Sequence, residues 1–291
     1  MSETERRPLS TTKSARSWAR RWAGDATLLG CCLTTPRRRP GACVLTYHSV
    51  GGPPAGIDAA TFERHLEYLS ERYDVVLLRD LREGQGRDRA RPVVCLTFDD
   101  GYRDNVDVAV PLLERFGLRA TFFLPTGFLG GVFVTSARVR HPVMDWSQAR
   151  DLHKAGHEVG AHTITHPRLT ELPGSEAWRE IAGSKAALET ALDCEVVSFA
   201  YPKGDYSPKV ASLAAAAGFR IAVTIDEGAL PESPDWLALP RISARPGDSL
   251  LQFRHRLHPG FERYVRLLHR LQRARPQAVP PRPVCAQQCL G

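Results

Sequence analysis

Two adjacent carboxylates, Asp99 and Asp100, end the apolar run Val-Val-Cys-Leu-Thr-Phe over residues 93–98 and are followed by Gly101 and Tyr102. Neighbouring carboxylates cannot both ionise cheaply in a partly dry site unless a cation or a donor lies between them, so the pair calls for a metal. On its own, Asp-Asp-Gly also reads well as a plain turn. A second stretch, 157–167, reads His-Glu-Val-Gly-Ala-His-Thr-Ile-Thr-His-Pro and sets His162 and His166 four residues apart. Two imidazoles and one carboxylate are the ligand set of an open catalytic zinc or similar divalent site, with positions left for water and substrate. A histidine pair in a loop is by itself more often solvated. Beside a strand that ends on two acids, it favours the metal.

The elements that must carry these residues alternate. Residues 93–98 are short, β-branched and bounded by Pro92 and Gly101, as in a strand buried on both faces of a parallel sheet. Functional groups are then expected just past its carboxyl end. The pattern predicts strands over 42–47, 74–78, 119–124, 158–161, 196–200, 219–224 and 237–243. Helices are predicted over 61–72, 105–116, 146–155, 175–192 and 207–217, several of them closed by glycine. Residues 127–141 read as a long connection at the rim. Some 200 residues of β-α alternation argue for one α/β domain built as a parallel barrel.

Thr-Phe-Asp-Asp-Gly over 97–101, followed by His-Thr-x-x-His over 162–166, resembles the first two motifs of the polysaccharide deacetylase family, carbohydrate esterase family four. The resemblance covers residues 43–245. It implies a deformed (β/α) barrel and metal-dependent removal of N- or O-acetyl groups from carbohydrate. It also implies that Asp100, His162 and His166 hold a divalent metal, expected to be zinc, while Asp99 stays free as the general base. His48 alone would pass for a structural residue, but Val-Leu-Thr-Tyr-His-Ser-Val over 44–50 resembles the opening of the circularly permuted deacetylases that act on poly-N-acetylglucosamine. In that subgroup the acid histidine arrives first, and no suitable late Leu-x-His motif is present here. His48 is therefore the expected general acid.

Tyr201-Pro202-Lys203-Gly204 resembles the family's third motif, usually Arg-x-Pro-Tyr-Gly, with Ala200 in the place of the arginine. Tyr201 and Lys203 are the expected oxyanion or substrate contacts, Lys203 through its backbone N–H. Arg241, late in the chain, is the candidate to replace the missing arginine beside the base. Trp146 could line an acetyl pocket, although a packed helix-start tryptophan is the simpler reading. The function expected is an N-deacetylase of N-acetylglucosamine-containing polysaccharide or glycoconjugate in the bacterial cell envelope. Its rivals are an O-acetyl carbohydrate esterase and a non-catalytic carbohydrate-binding relative.

Composition adds the surroundings. The 291 residues carry a net charge of +7, unevenly placed: residues 1–41 hold +6 and residues 250–291 hold +7, which leaves −6 for the middle. The expected organisation is a basic, disordered arm over 1–41, the catalytic domain over 42–248, a basic amphipathic helical extension over 249–275 and a Pro-rich tail over 276–291. The terminal regions could touch anionic polymer or a membrane surface. They lack the interleaved aromatics of a nucleic-acid binder, and no transmembrane segment is expected. Seven cysteines without a Cys-x-x-Cys pair weakly favour a reducing compartment, so a cytoplasmic or membrane-peripheral location is expected. Export through a degenerate twin-arginine signal at Arg20-Arg21 is the alternative.

Overall fold

The structure is a computed structural model and describes residues 41–51, 56–82, 91–135 and 138–258. Residues 1–40 of the terminal arm, residues 259–275 of the predicted helical extension and the Pro-rich tail lie outside the described residues. β1 (Ala42–Tyr47), β3 (Val93–Phe98), β4 (Thr121–Leu124), β7 (Glu158–Ala161), β8 (Ser198–Ala200), β9 (Ile221–Glu227) and β10 (Leu239–Ser243) close into a seven-stranded parallel barrel. Closure is made by β1 against β3, in register from Ala42 opposite Val93 to Tyr47 opposite Phe98. The barrel is deformed where β2 (Asp74–Val76) pairs with the first half of β3 and β4 takes over the second half of that edge.

Helices supply the outer layer. α1 (Ala59–Arg72) begins where Asp58 accepts from the Thr61 N–H, and it buries Phe62, His65, Leu66 and Leu69. α3 (Val110–Arg115), α4 (Trp146–Lys154), α5 (Gly174–Leu192), α6 (Pro208–Ala216) and α7 (Leu250–Arg256) complete the set. α7 packs on α1, with the His65 ring stacked on Phe253 at a centroid distance of 3.6 Å. The predicted barrel is thus found.

Alternation along the strands sorts side chains into two cores. Val44, Val93, Cys95, Phe123, Ala200, Ile221, Val223 and Leu239 fill the barrel interior. Leu45, Tyr47, Leu96, Phe98, Phe122, Phe199 and Ile242 pack outward against the helices. α2 (Leu78–Arg82) plugs the lower end, sending Leu78 and Leu81 into the interior cluster. Its Arg79 N–H donates to buried Glu158 at 3.0 Å, and Thr121 and Ser198 hydroxyls donate to the same carboxylate. Continuing the inward parity upward from Val44, Cys95 and Leu239 gives Thr46 and His48, Thr97 and Asp99, and Arg241. The polar end of the barrel is therefore its carboxyl-terminal rim.

Three local expectations need correction. The strand over 74–78 stops at Val76 because Leu78 is drawn into the plug helix. The rim connection over 127–141 contains an antiparallel hairpin, β5 (Val132–Val134) with β6 (Arg140–Pro142). The helix over 105–116 opens as a π-helix, Asn105–Ala109, before α3 continues it.

Candidate metal centre and its flanking groups

A reversal in the backbone separates the two acids. Asp100 has φ +68° and Gly101 φ +61°, so two successive residues sit in the left-handed region. For Asp100 that costs about 1–2 kcal/mol. The positive φ at Gly101 strains any side chain placed there, and its Cβ would also come within 2.9 Å of Leu124 Cδ2, so the turn favours glycine. The result is that the carboxylates face different partners.

Asp99 turns to Arg241. The guanidinium donates to both carboxylate oxygens, at 2.8 and 2.7 Å, and also to Thr97 Oγ1 at 3.2 Å and the Thr224 carbonyl at 2.8 Å. Arg241 is 1% exposed. Burial works to raise the Asp99 pKa, but the charge and hydrogen bonds of Arg241 outweigh it and hold the group below the usual carboxylate range. Asp99 is an ionised, oriented carboxylate. Rings fix the strand ends that carry the flanking groups: Tyr47 stacks on Phe98 and Phe98 on Phe122, at 5.3 and 4.9 Å. Such pairs are worth about 0.5–1.5 kcal/mol each beyond their buried area.

Asp100 turns to the histidines. Its Oδ1 lies 3.5 Å from His162 Nε2 and 3.4 Å from His166 Nε2, and the three ligand atoms fall within 4.8 Å of one another. That oxygen is buried and has no hydrogen-bond partner. His162 Nδ1 is 2.7 Å from the Ala200 carbonyl, which can only accept, so Nδ1 carries a proton and Nε2 offers its lone pair to the cluster. Burial opposes a charge on His162, yet the two carboxylates outweigh it and lift its pKa. The cluster asks for positive charge. Burial, with His162 beside it, pushes His166 down to about 4, so its imidazole is neutral and free to ligate at neutral pH. An orphaned buried carboxylate oxygen facing two imidazole nitrogens fits a divalent ion.

The loop that presents both histidines is strained and tied. Thr163 and His166 have φ +65° and +57°. Thr163 Oγ1 donates to the His162 carbonyl and accepts from the His166 N–H at 3.0 Å. Glu180 of α5 accepts from the N–H groups of Ile164 and Thr165, at 2.9 and 2.8 Å, and from the Thr165 hydroxyl at 2.8 Å. Sequence reading missed Glu180. Its signal was a carboxylate on the buried face of α5, in step with Ala177, Ile181, Ser184 and Leu188.

Other expected residues fall out differently. His48 is exposed, with Nε2 4.0 Å from Asp99 Oδ2, and so stands beside Asp99 at the rim. Lys203 has φ +58° on the turn after β8, near enough for its charge to disfavour a charged His166. Tyr201 is not brought to the site. Strand parity turns its ring outward into the layer under the helices, and its hydroxyl donates to the Leu237 carbonyl at 2.9 Å. Trp146 lines a shallow apolar hollow with Ala186, Ala187, Thr190 and Ala191 of α5 instead of an acetyl pocket.

With this geometry in place, the profile of the polysaccharide deacetylase family matches residues 86–222, a span holding both acids and both histidines. The matched span is a polysaccharide deacetylase domain. It is a hydrolase of the deacetylase class. His48 and Arg241 lie on either side of the matched span. The deacetylase superposes on the Streptococcus pyogenes deacetylase PplD, solved with acetate, at a TM-score of 0.66 and 25% identity, covering 77% of this chain and 100% of that one. IcaB from Ammonifex degensii aligns at a TM-score of 0.65 and 26% identity, over 75% of this chain and 97% of that one. A chitooligosaccharide deacetylase of Azorhizobium caulinodans is 29% identical over 179 residues, 57% of this chain and 73% of the relative. Among the described residues no helix is long and apolar enough to cross a membrane.

Proposed function

We propose that this deacetylase removes N-acetyl groups from an N-acetylglucosamine-containing polysaccharide or glycoconjugate, using water as the nucleophile. The reading rests chiefly on the buried, unpartnered Asp100 Oδ1 between two imidazole nitrogens, with ionised Asp99 and His48 alongside. The chitooligosaccharide named for the Azorhizobium relative supports the choice of sugar. Asp100, His162 and His166 would hold a divalent ion, zinc by the chemistry of one carboxylate and two imidazoles. Such an ion, when bound, acts as a Lewis acid on the acetyl carbonyl and makes water more acidic. Asp99, held by Arg241, is a weak base, suited to taking a proton only from water already made acidic. His48, open to solvent, returns a proton to the amine nitrogen, which is too basic to leave as an anion. The backbone N–H of Lys203 would donate to the developing oxyanion, as the resemblance to the third motif implies.

The test is acetate release from N-acetylglucosamine oligomers and from O-acetylated xylan, with metal analysis of the purified protein. The expected result is about one divalent ion per chain, loss of N-acetyl hydrolysis on chelation and recovery with zinc. Full hydrolysis after every divalent ion has been stripped would overturn the reading. Release from the O-acetylated polymer alone would make the protein an esterase.

A further inference from the structure

His48 has no hydrogen bond to Asp99: at 4.0 Å the ring is beyond bonding range and exposed. What fixes its place is its own backbone. The His48 carbonyl accepts from Asn105 Nδ2 at 2.7 Å, and the same amide donates to Asp104 Oδ1 at 2.9 Å. Asp104 in turn accepts from the Ser49 hydroxyl at 2.5 Å and the Val50 N–H at 3.3 Å. Asn105 is fully buried, and no other orientation of its amide can serve a carbonyl and a carboxylate at once. Gly51 completes the fit, since a Cβ there would meet Asp104 Oδ2 at 2.8 Å. The clamp sits where the backbone departs from regular helix: the π-helix begins at Asn105, and such turns are frequent at functional sites.

We propose that Asp104 and Asn105 are positioning residues for His48. Through them the segment that carries the base and a metal ligand, Asp99 and Asp100, also sets the distance of the proton donor. This rests on the reading of His48 as the group that protonates the leaving amine. An ordinary structural clamp would matter equally for any substrate; a positioning clamp matters only where a proton must be delivered.

Two acetyl substrates separate these cases: an N-acetylglucosamine oligomer, and 4-nitrophenyl acetate, whose leaving group departs as a stable anion. His48→Ala is the reference and should depress amide turnover while sparing the aryl ester. Asn105→Leu, close in volume but without the donor, should lower kcat on the amide about ten- to hundredfold and leave the ester within about twofold. In a His48→Ala background it should cost nothing further on the amide. Ser49→Ala, which removes the tie to Asp104 with little change in volume, should act in the same direction and serves if the leucine variant does not fold. Equal losses on both substrates, an unchanged amide rate, or losses that add to those of His48→Ala would each overturn the proposal. If His48→Ala itself leaves the amide-to-ester ratio unchanged, the reading of His48 fails. An altered ratio for His48→Ala with an unaltered one for Asn105→Leu condemns the clamp alone.

Discussion

Arg241 is the residue whose removal the structure makes most quantitative. Replacing it with methionine keeps most of the volume inside the barrel but leaves Asp99, 3% exposed, as a buried carboxylate without its two charged hydrogen bonds. Breaking a buried pair on one side costs about 3–5 kcal/mol, most of it the uncompensated charge of the partner left behind. Thr97 Oγ1 and the Thr224 carbonyl also lose a partner, which pushes toward the upper end of that range. Asp99 can escape by taking a proton. With Arg241 present its folded pKa is depressed, so the pair stabilises the protein above the unfolded carboxyl pKa, and that contribution fades as the pH falls below it. In Arg241→Met burial acts unopposed, the pKa rises, and the deficit should be largest near pH 8 and shrink toward pH 4. Urea unfolding of both proteins at pH 8, 6 and 4 measures this. The double variant Arg241→Met/Asp99→Asn, with no charge left to strand, should be more stable than Arg241→Met alone. A loss under about 1 kcal/mol at pH 8, or a double variant less stable than the single, would refute the claim that Arg241 serves to compensate Asp99.

Other outcomes follow from the same contacts. Asp99→Asn should abolish acetate release and leave metal content unchanged by elemental analysis, since the carboxylate oxygen facing the two imidazoles belongs to Asp100. Glu180→Ala frees three donors of the loop between His162 and His166 and should weaken zinc affinity about 10- to 100-fold in a competitive chelator titration, with the far-ultraviolet circular dichroism unchanged. His65 and His157 are buried neutral, burial having pushed each pKa down to about 4. The unfolded chain takes up these protons first, so stability should be full above about pH 6.5 and fall progressively toward pH 4. His65→Phe, which keeps a ring against Phe253, should flatten that fall in thermal melts across the range.

The barrel could be read from the chain because its strands are short buried runs and its helices repeat every three to four residues. Those patterns are local, and burial on both faces enforces them. The hairpin over 132–142 escaped because Arg140, His141 and Pro142 carry no strand pattern; its pairing is made by Val132 and Val134 across the turn. The plug helix escaped because Leu78 and Leu81 look like the continuation of a strand until the open end of the barrel is seen beneath them. Tyr201 was misplaced by one step of alternation: beside inward Ala200 it must point outward, whatever its motif suggests.

Sequence alone determined which side chains could do chemistry here: two acids at a strand end, two histidines four apart, a histidine closing the first strand and an arginine late in the chain. How they divide the work was implied only by the family resemblance, not by the residues themselves. The folded barrel gives that division its physical basis: a left-handed turn at Asp100 sends the two acids apart, and β10 lying beside β1 brings Arg241 to Asp99. The tertiary structure alone also brought Glu180 under the histidine loop and Asn105 under His48. Those bonds join residues 15 to 57 positions apart, and only packing can bring such partners together.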